Sequence, residues 1–277
     1  MFAVTVSWWC TALEAPWEWV WRPYPGVWAA VLLPVAFYLH AKRRRQPRDP
    51  DSRRQTGFFL IGMAVFWVAS DWPLGTLGAG YLASAHMLQY VLYTLVAAPF
   101  LLLGAPEWMG RRFLARIRAY RAVRWLSGSL LASGIVYNFL LVTTHAPVTV
   151  DALRTNAFGS FAMDMVWLLS GLVLWTPILA RLPEFTRHSP PAKIAYLFAA
   201  TAIIAIIPAS FMTLGEFPLY RTYELAPRFY NLSAVNDQQI AGLIMKVGTI
   251  PIIWATMAGM WIRWANAEAA TPVRRRA

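Results

Sequence analysis

The chain has 277 residues, 58% of them hydrophobic and 14% charged, with a formal net charge of +12. A soluble domain carries about 25% charged residues, and here the apolar residues run together instead of alternating with polar ones, so an ordinary soluble enzyme is excluded. The basic residues sit in short segments between the apolar runs, the positive-inside pattern of an integral membrane protein, which sets nucleic-acid binding aside.

Residues 1–24 hold Trp8, Trp9, Trp17, Trp19 and Trp21 among Glu14, Pro16, Glu18, Arg22 and Pro23. No basic start precedes a clean apolar run, so this is a poor signal peptide. It reads as a Trp-rich interfacial segment on the outer surface. Its Cys10 is the single cysteine of the chain, which excludes an internal disulfide and a Cys-based metal cage. Seven apolar runs follow, at 25–41, 57–72, 81–105, 124–144, 158–181, 193–214 and 238–264. Each is close to the roughly 17–25 residues that a helix needs to cross a bilayer. The expected fold is all-α, a polytopic bundle of seven transmembrane helices over 25–265, followed by a basic tail at 266–277.

Orientation comes from the connections. The first holds Lys42, Arg43, Arg44, Arg45, Arg48, Arg53 and Arg54, and the next, around Asp71 to Gly80, holds no basic residue. The third holds Arg111, Arg112, Arg116, Arg118, Arg121 and Arg124, and the fourth only Arg154. Arg181, Arg187 and Lys193 flank the fifth; in the sixth, Glu216 and Glu224 balance Arg221 and Arg228; the tail carries Arg274, Arg275 and Arg276. Basic and basic-poor connections therefore alternate, which puts the N-terminus outside and the C-terminus in the cytoplasm. No Gly-rich phosphate loop and no inverted repeat of broken helices is present, which argues against an ATP-driven pump and a secondary transporter.

Ionisable residues at membrane depth carry a functional hypothesis by default. With this topology His86, His145, Asp164, Asp237 and Met245 converge on the outer leaflet, together with Asp71, which closes the second run. His86, Gln89, Tyr90 and Tyr93 are spaced by three, four and seven residues and share one helix face. Imidazole and thioether together suit Cu(I). Lys246 lies about two turns inside the last run and needs a carboxylate, a carbonyl or water, with Asp164 as a partner.

The stretches Ser84-Ala85-His86-Met87-Leu88-Gln89-Tyr90, Val96 to Pro106, His145-Ala146-Pro147, Ser170 to Pro177, Pro218-Leu219-Tyr220 and Asp237 to Met245 resemble, in order, the CtaG-like cytochrome c oxidase assembly factors. Those are seven-helix proteins of bacterial inner membranes implicated in maturing the copper centres of haem-copper oxidases. His86, Met87, Gln89, His145, Asp237, Gln238, Gln239 and Met245 match the family pattern. Tyr90 and Asp164 stand where it usually has further histidines, so a copper site like the family's would here lack two nitrogen ligands.

The resemblance implies a non-catalytic assembly factor of the inner membrane, handling or delivering Cu(I) at the periplasmic face. Its partners would be oxidase subunits and a periplasmic copper donor. His86 and His145 would hold the ion with Met245 or Met87, Asp237 would orient an imidazole, and Gln238 and Gln239 would cap the last helix. Two alternatives stand beside it: a metal-free scaffold for oxidase subunits, and a small channel, transporter or proton-relay protein using His86, Asp164 and Lys246.

Overall fold

The computed structural model describes residues 7–12, 15–45 and 52–270, and every regular element among them is helical. In chain order these are α1 (Pro25–Arg45), α2 (Ser52–Ser70), α3 (Leu74–Gly80), α4 (Ala83–Gly104), α5 (Glu107–Arg116) and α6 (Tyr120–Gly128). Then come α7 (Leu130–His145), α8 (Pro147–Leu153), α9 (Ala157–Leu179), α10 (Pro190–Leu214), α11 (Arg221–Glu224) and α12 (Ala234–Ala269). The expected seven apolar runs all fall on helices. Four helices, α4, α9, α10 and α12, are long and apolar enough to cross a membrane, or up to six spans if each bent pair counts as one. Several apolar helices of this kind are the mark of a multi-pass membrane protein. Arg48 lies outside the described residues, as do Glu14 and Arg274 to Arg276 of the basic tail.

Local chemistry sets the helix starts. A short polar side chain accepts from an otherwise unpaired first-turn N–H. Ser129 accepts from Ala132 N (3.2 Å), Asn156 from Gly159 N (2.8 Å) and Ser233 from Asn236 N (3.1 Å). Ser233, not Gln238 or Gln239, therefore caps α12. Ser129 also divides the expected span 124–144. Its extended backbone breaks the run, and α6 meets α7 at 107°. α7 starts at Leu130, while α6, with Arg121, Arg124 and an exposed Trp125, runs almost at right angles to it.

The bundle is organised around α4, which packs on α2, α9 and the first part of α12. Met87, Tyr90 and Tyr93 of α4 and Trp167, Leu174 and Trp175 of α9 are fully or almost fully buried. The two helices touch backbone to backbone at Gly171, where a Cβ would come within 2.6 Å of Thr94 O and 2.8 Å of Ala98 Cβ. At one end, Arg111 bridges Glu107 (2.8 Å) and Glu184 (2.5 Å), and the Tyr120 hydroxyl donates to Glu184. Tyr120 and Arg111 hold that carboxyl below its ordinary pKa and fasten α5 and α6 to the turn at Pro183–Phe185.

At the opposite end the N-terminal segment does not stay on the surface. Trp19 and Trp21 are exposed, as expected of an interfacial stretch, but Trp9 and Cys10 are inside the bundle. The Cys10 thiol donates to Ser70 O at 3.2 Å, and burial pushes its pKa up, so it stays a protonated, unreactive thiol.

Candidate functional site

The buried polar groups gather at the end of the bundle that takes in Trp9. At their centre is Arg154, which is 0% exposed. It follows α8, whose first residue, Pro147, suits a helix start because its fixed φ is already helical. One guanidinium nitrogen donates to Asp164 Oδ1 at 3.1 Å, and Nε donates to His86 Nδ1 at 3.3 Å. The guanidinium lies 5.1 Å from the centre of the Trp167 ring. Burial alone would lower the Arg154 pKa, but the Asp164 carboxylate, together with the nearby Tyr223 and Tyr93 hydroxyls, outweighs it and holds it above the ordinary value. A buried ion pair of this kind survives only with good geometry and further hydrogen bonds. Asp164 receives one of these from Trp9 Nε1 at 2.9 Å.

The N-terminal segment is sewn to the same residue from the other side. The carbonyl of Arg154 accepts from Ala12 N (3.1 Å) and from the Thr11 hydroxyl (3.0 Å). The Tyr223 hydroxyl, from α11, lies 2.7 Å from His86 Nδ1 and 2.6 Å from Gly78 O. Trp9, Arg154 and Tyr223 thus join the cluster from three connections that surround α4 and α9.

These contacts constrain the two imidazoles differently. His86 Nδ1 faces two groups with opposite demands: the Arg154 N–H only donates, whereas the Tyr223 hydroxyl, whose one proton goes to Gly78 O, is left to accept. His145 Nδ1 lies 2.7 Å from Leu141 O, a carbonyl that only accepts, so this ring carries its proton on Nδ1 and a lone pair on Nε2. The ring centres are 6.3 Å apart, with Trp167 4.6 Å from His86 and 6.0 Å from His145. Neither Nε2 has a hydrogen-bond partner among the described residues, nor do Arg154 Nη1, Trp167 Nε1 and Ser160 Oγ.

Most of the remaining candidates have structural partners. Asp237 does not orient an imidazole. Its carboxylate accepts from Ala83 N (2.5 Å), Ser84 N (3.2 Å) and the Ser84 hydroxyl, and so caps the start of α4. Gln238 accepts from Leu219 N (2.6 Å) and donates to Phe217 O (3.2 Å), holding the chain before α11, and Gln239 is half-buried beside it. Gln89 donates to Ala69 O at 2.7 Å and closes over Gly78, where a Cβ would overlap its Oε1. Asp71 accepts from the indoles of Trp28 (2.9 Å) and Trp67 (2.6 Å), tying α1 to α2. Tyr90 bonds the Tyr137 hydroxyl at 2.8 Å and stacks edge-on against His145. Lys246 is exposed on α12, while Asp164 is paired with Arg154, so the proposed partnership of Lys246 with Asp164 does not form.

A family model for the cytochrome c oxidase caa3 assembly factor (Caa3_CtaG) matches residues 35–267, which hold this whole cluster except Trp9 and its neighbours. The chain belongs to this family. Comparison with curated proteins and with solved structures gives no match.

For a caa3 assembly factor the chemistry to test at this cluster is that of copper, and the donor set does not fit it. His86 offers one unpartnered ring nitrogen, Nε2. A fixed guanidinium cation lies against the same ring. Met87 points about 100° away around the helix from His86 into the apolar core, and Met245 lines a groove with Phe198 and Trp254. Among the described residues no three His, Cys, Asp or Glu side chains are grouped to hold a metal ion. What the arrangement does provide is a buried polar knot, centred on the Arg154–Asp164 ion pair, joining the N-terminal segment, α4, α9 and α11.

Arg154, Trp9 and Tyr223 were not among the candidates that the sequence offered. Arg154 had one signal, as the only basic residue in a connection otherwise without positive charge. Trp9 was hidden among neighbouring tryptophans that do lie outside, and Tyr223 had no signal at all.

Proposed function

We propose that the chain is a non-catalytic assembly factor for cytochrome c oxidase that acts as a scaffold, without a resident metal between His86 and His145. It crosses a bacterial inner membrane seven times, with its N-terminus and the polar knot at the periplasmic face. The family match over residues 35–267 carries the assembly role. The alternation of basic and basic-poor connections supports the orientation, since Lys42 and Arg111 lie at one end of the bundle and Arg154 is fully buried at the other. Arg154 supports the metal-free part, because a cation already occupies the charge position beside His86 and Asp164. In this reading no copper donor is needed at the knot, and oxidase subunits are the partners.

Purified protein titrated with Cu(I) against a competing chelator is expected to take up no more copper than the detergent blank. The His86→Ala/His145→Ala double variant should give the same curve. One tightly held Cu(I) per chain, lost in the double variant, would overturn the metal-free reading and restore copper delivery.

A further inference from the structure

The antiparallel helices α10 and α12 pack on each other near both ends, Pro190–Phe198 against the last part of α12 and Ile206–Leu214 against Ala234–Leu243. In the middle both widen into a π turn, at Ala199–Ile203 and Ile244–Gly248. Each π turn is followed by a proline, Pro208 and Pro251, which breaks regular helix bonding and lets the backbones part. A groove of about 240 Å³ opens there, lined by Phe198, Thr201, Ala205, Lys246, Thr249 and Trp254.

Lys246 is exposed in this groove and has no hydrogen-bond or ion-pair partner among the described residues. The two hydroxyls beside it already donate within their own helices, Thr201 to Leu197 O and Thr249 to Met245 O. Along α12 the neighbouring charged residues are Asp237 and Arg263, about 13 Å and 25 Å away at 1.5 Å per residue. A lysine side chain reaches about 6 Å, so by snorkelling the ammonium falls short of either end of the charge-free stretch. An unpaired cation at that depth is costly. Of the four helices long and apolar enough to cross a membrane, these two are the least covered by their own chain, with 22% and 28% of their apolar windows buried against 56% for α4.

We propose that this groove docks a transmembrane helix of an oxidase subunit, which supplies a carboxylate at the depth of Lys246 and neutralises it. The partner is thus an apolar helix with one Asp or Glu near its middle. The proposal names the contact surface of the assembly factor and rests on that reading. The polar knot plays no part in the docking.

The test places a benzophenone side chain at Ile250, beside the groove, in the full-length protein in its native membrane, and sequences the adducts formed on irradiation. The expected adduct is a peptide from an apolar oxidase helix containing Asp or Glu. It should fall at least tenfold in Lys246→Met and be retained in Lys246→Arg, while both variants melt like the parent, because Lys246 is exposed and makes no hydrogen bond or ion pair among the described residues. Adducts with lipid alone, or a peptide adduct unaffected by Lys246→Met, would overturn the proposal. An acidic apolar helix captured in the same charge-dependent way from a protein other than the oxidase would support the groove and overturn the assembly-factor reading instead.

Discussion

Arg154→Ala is expected to destabilise the protein by about 3–5 kcal/mol, the cost of leaving one partner of a buried ion pair without the other. The variant strands Asp164 as a carboxylate that is 1% exposed and has no counter-charge, with only neutral donors such as Trp9 Nε1 left to it. It also removes the cation packed on Trp167 and the donor to His86 Nδ1. Asp164→Ala should be similarly harmful, because it leaves the guanidinium buried and unpaired. The double variant Arg154→Met/Asp164→Leu removes both charges and fills the space with apolar side chains, and should be less destabilised than either single variant. Thermal unfolding in detergent reads all three. Losses that simply add in the double variant would mean that the pair is not the source of the penalty.

Trp9→Ala should cost about 3–5 kcal/mol, as expected for deleting a fully buried large aromatic side chain. Trp9 is 0% exposed, packs against Phe161 at 5.0 Å and donates to Asp164. Trp9→Phe keeps most of the ring but not the donor, and isolates the hydrogen bond to the charged carboxylate, worth about 1.5–3 kcal/mol. The neighbouring thiol reports on the same docking. Cys10 is buried against Ser70 O and Thr76, so a membrane-permeant maleimide should label it slowly in the parent and much faster in Trp9→Ala. Equal labelling rates would show that the segment is held by something other than Trp9.

Most of the helical frame was legible in the sequence, because a bilayer demands long apolar runs and each run leaves a clear signature. The boundaries agree to within a few residues, from Ala83–Gly104 to Pro190–Leu214. The failures have local causes. The run at 124–144 looked continuous because apolar content says nothing about direction, and Ser129 turns the chain through 107° without interrupting the hydropathy. The site was half legible. His86, His145 and Asp164 were found at one end because depth can be inferred from orientation. Their chemistry was not, because it depends on side chains that depth alone does not select. Arg154 comes from a connection and Trp9 from a segment expected to lie outside, and between them they supply the hydrogen bonds that hold the Asp164 carboxylate. Asp237 shows the same limit. As a carboxylate at membrane depth it suggested support for an imidazole, whereas it caps α4 through Ala83 and Ser84.

The central claim is that this chain is needed to assemble cytochrome c oxidase. The most direct measurement is the amount of spectroscopically intact oxidase in membranes of cells lacking the gene, with the chain resupplied as parent or as Arg154→Ala. The account predicts that intact oxidase falls severalfold without the chain, is restored by the parent and is not restored by Arg154→Ala. Unchanged oxidase in membranes that lack the chain would contradict it.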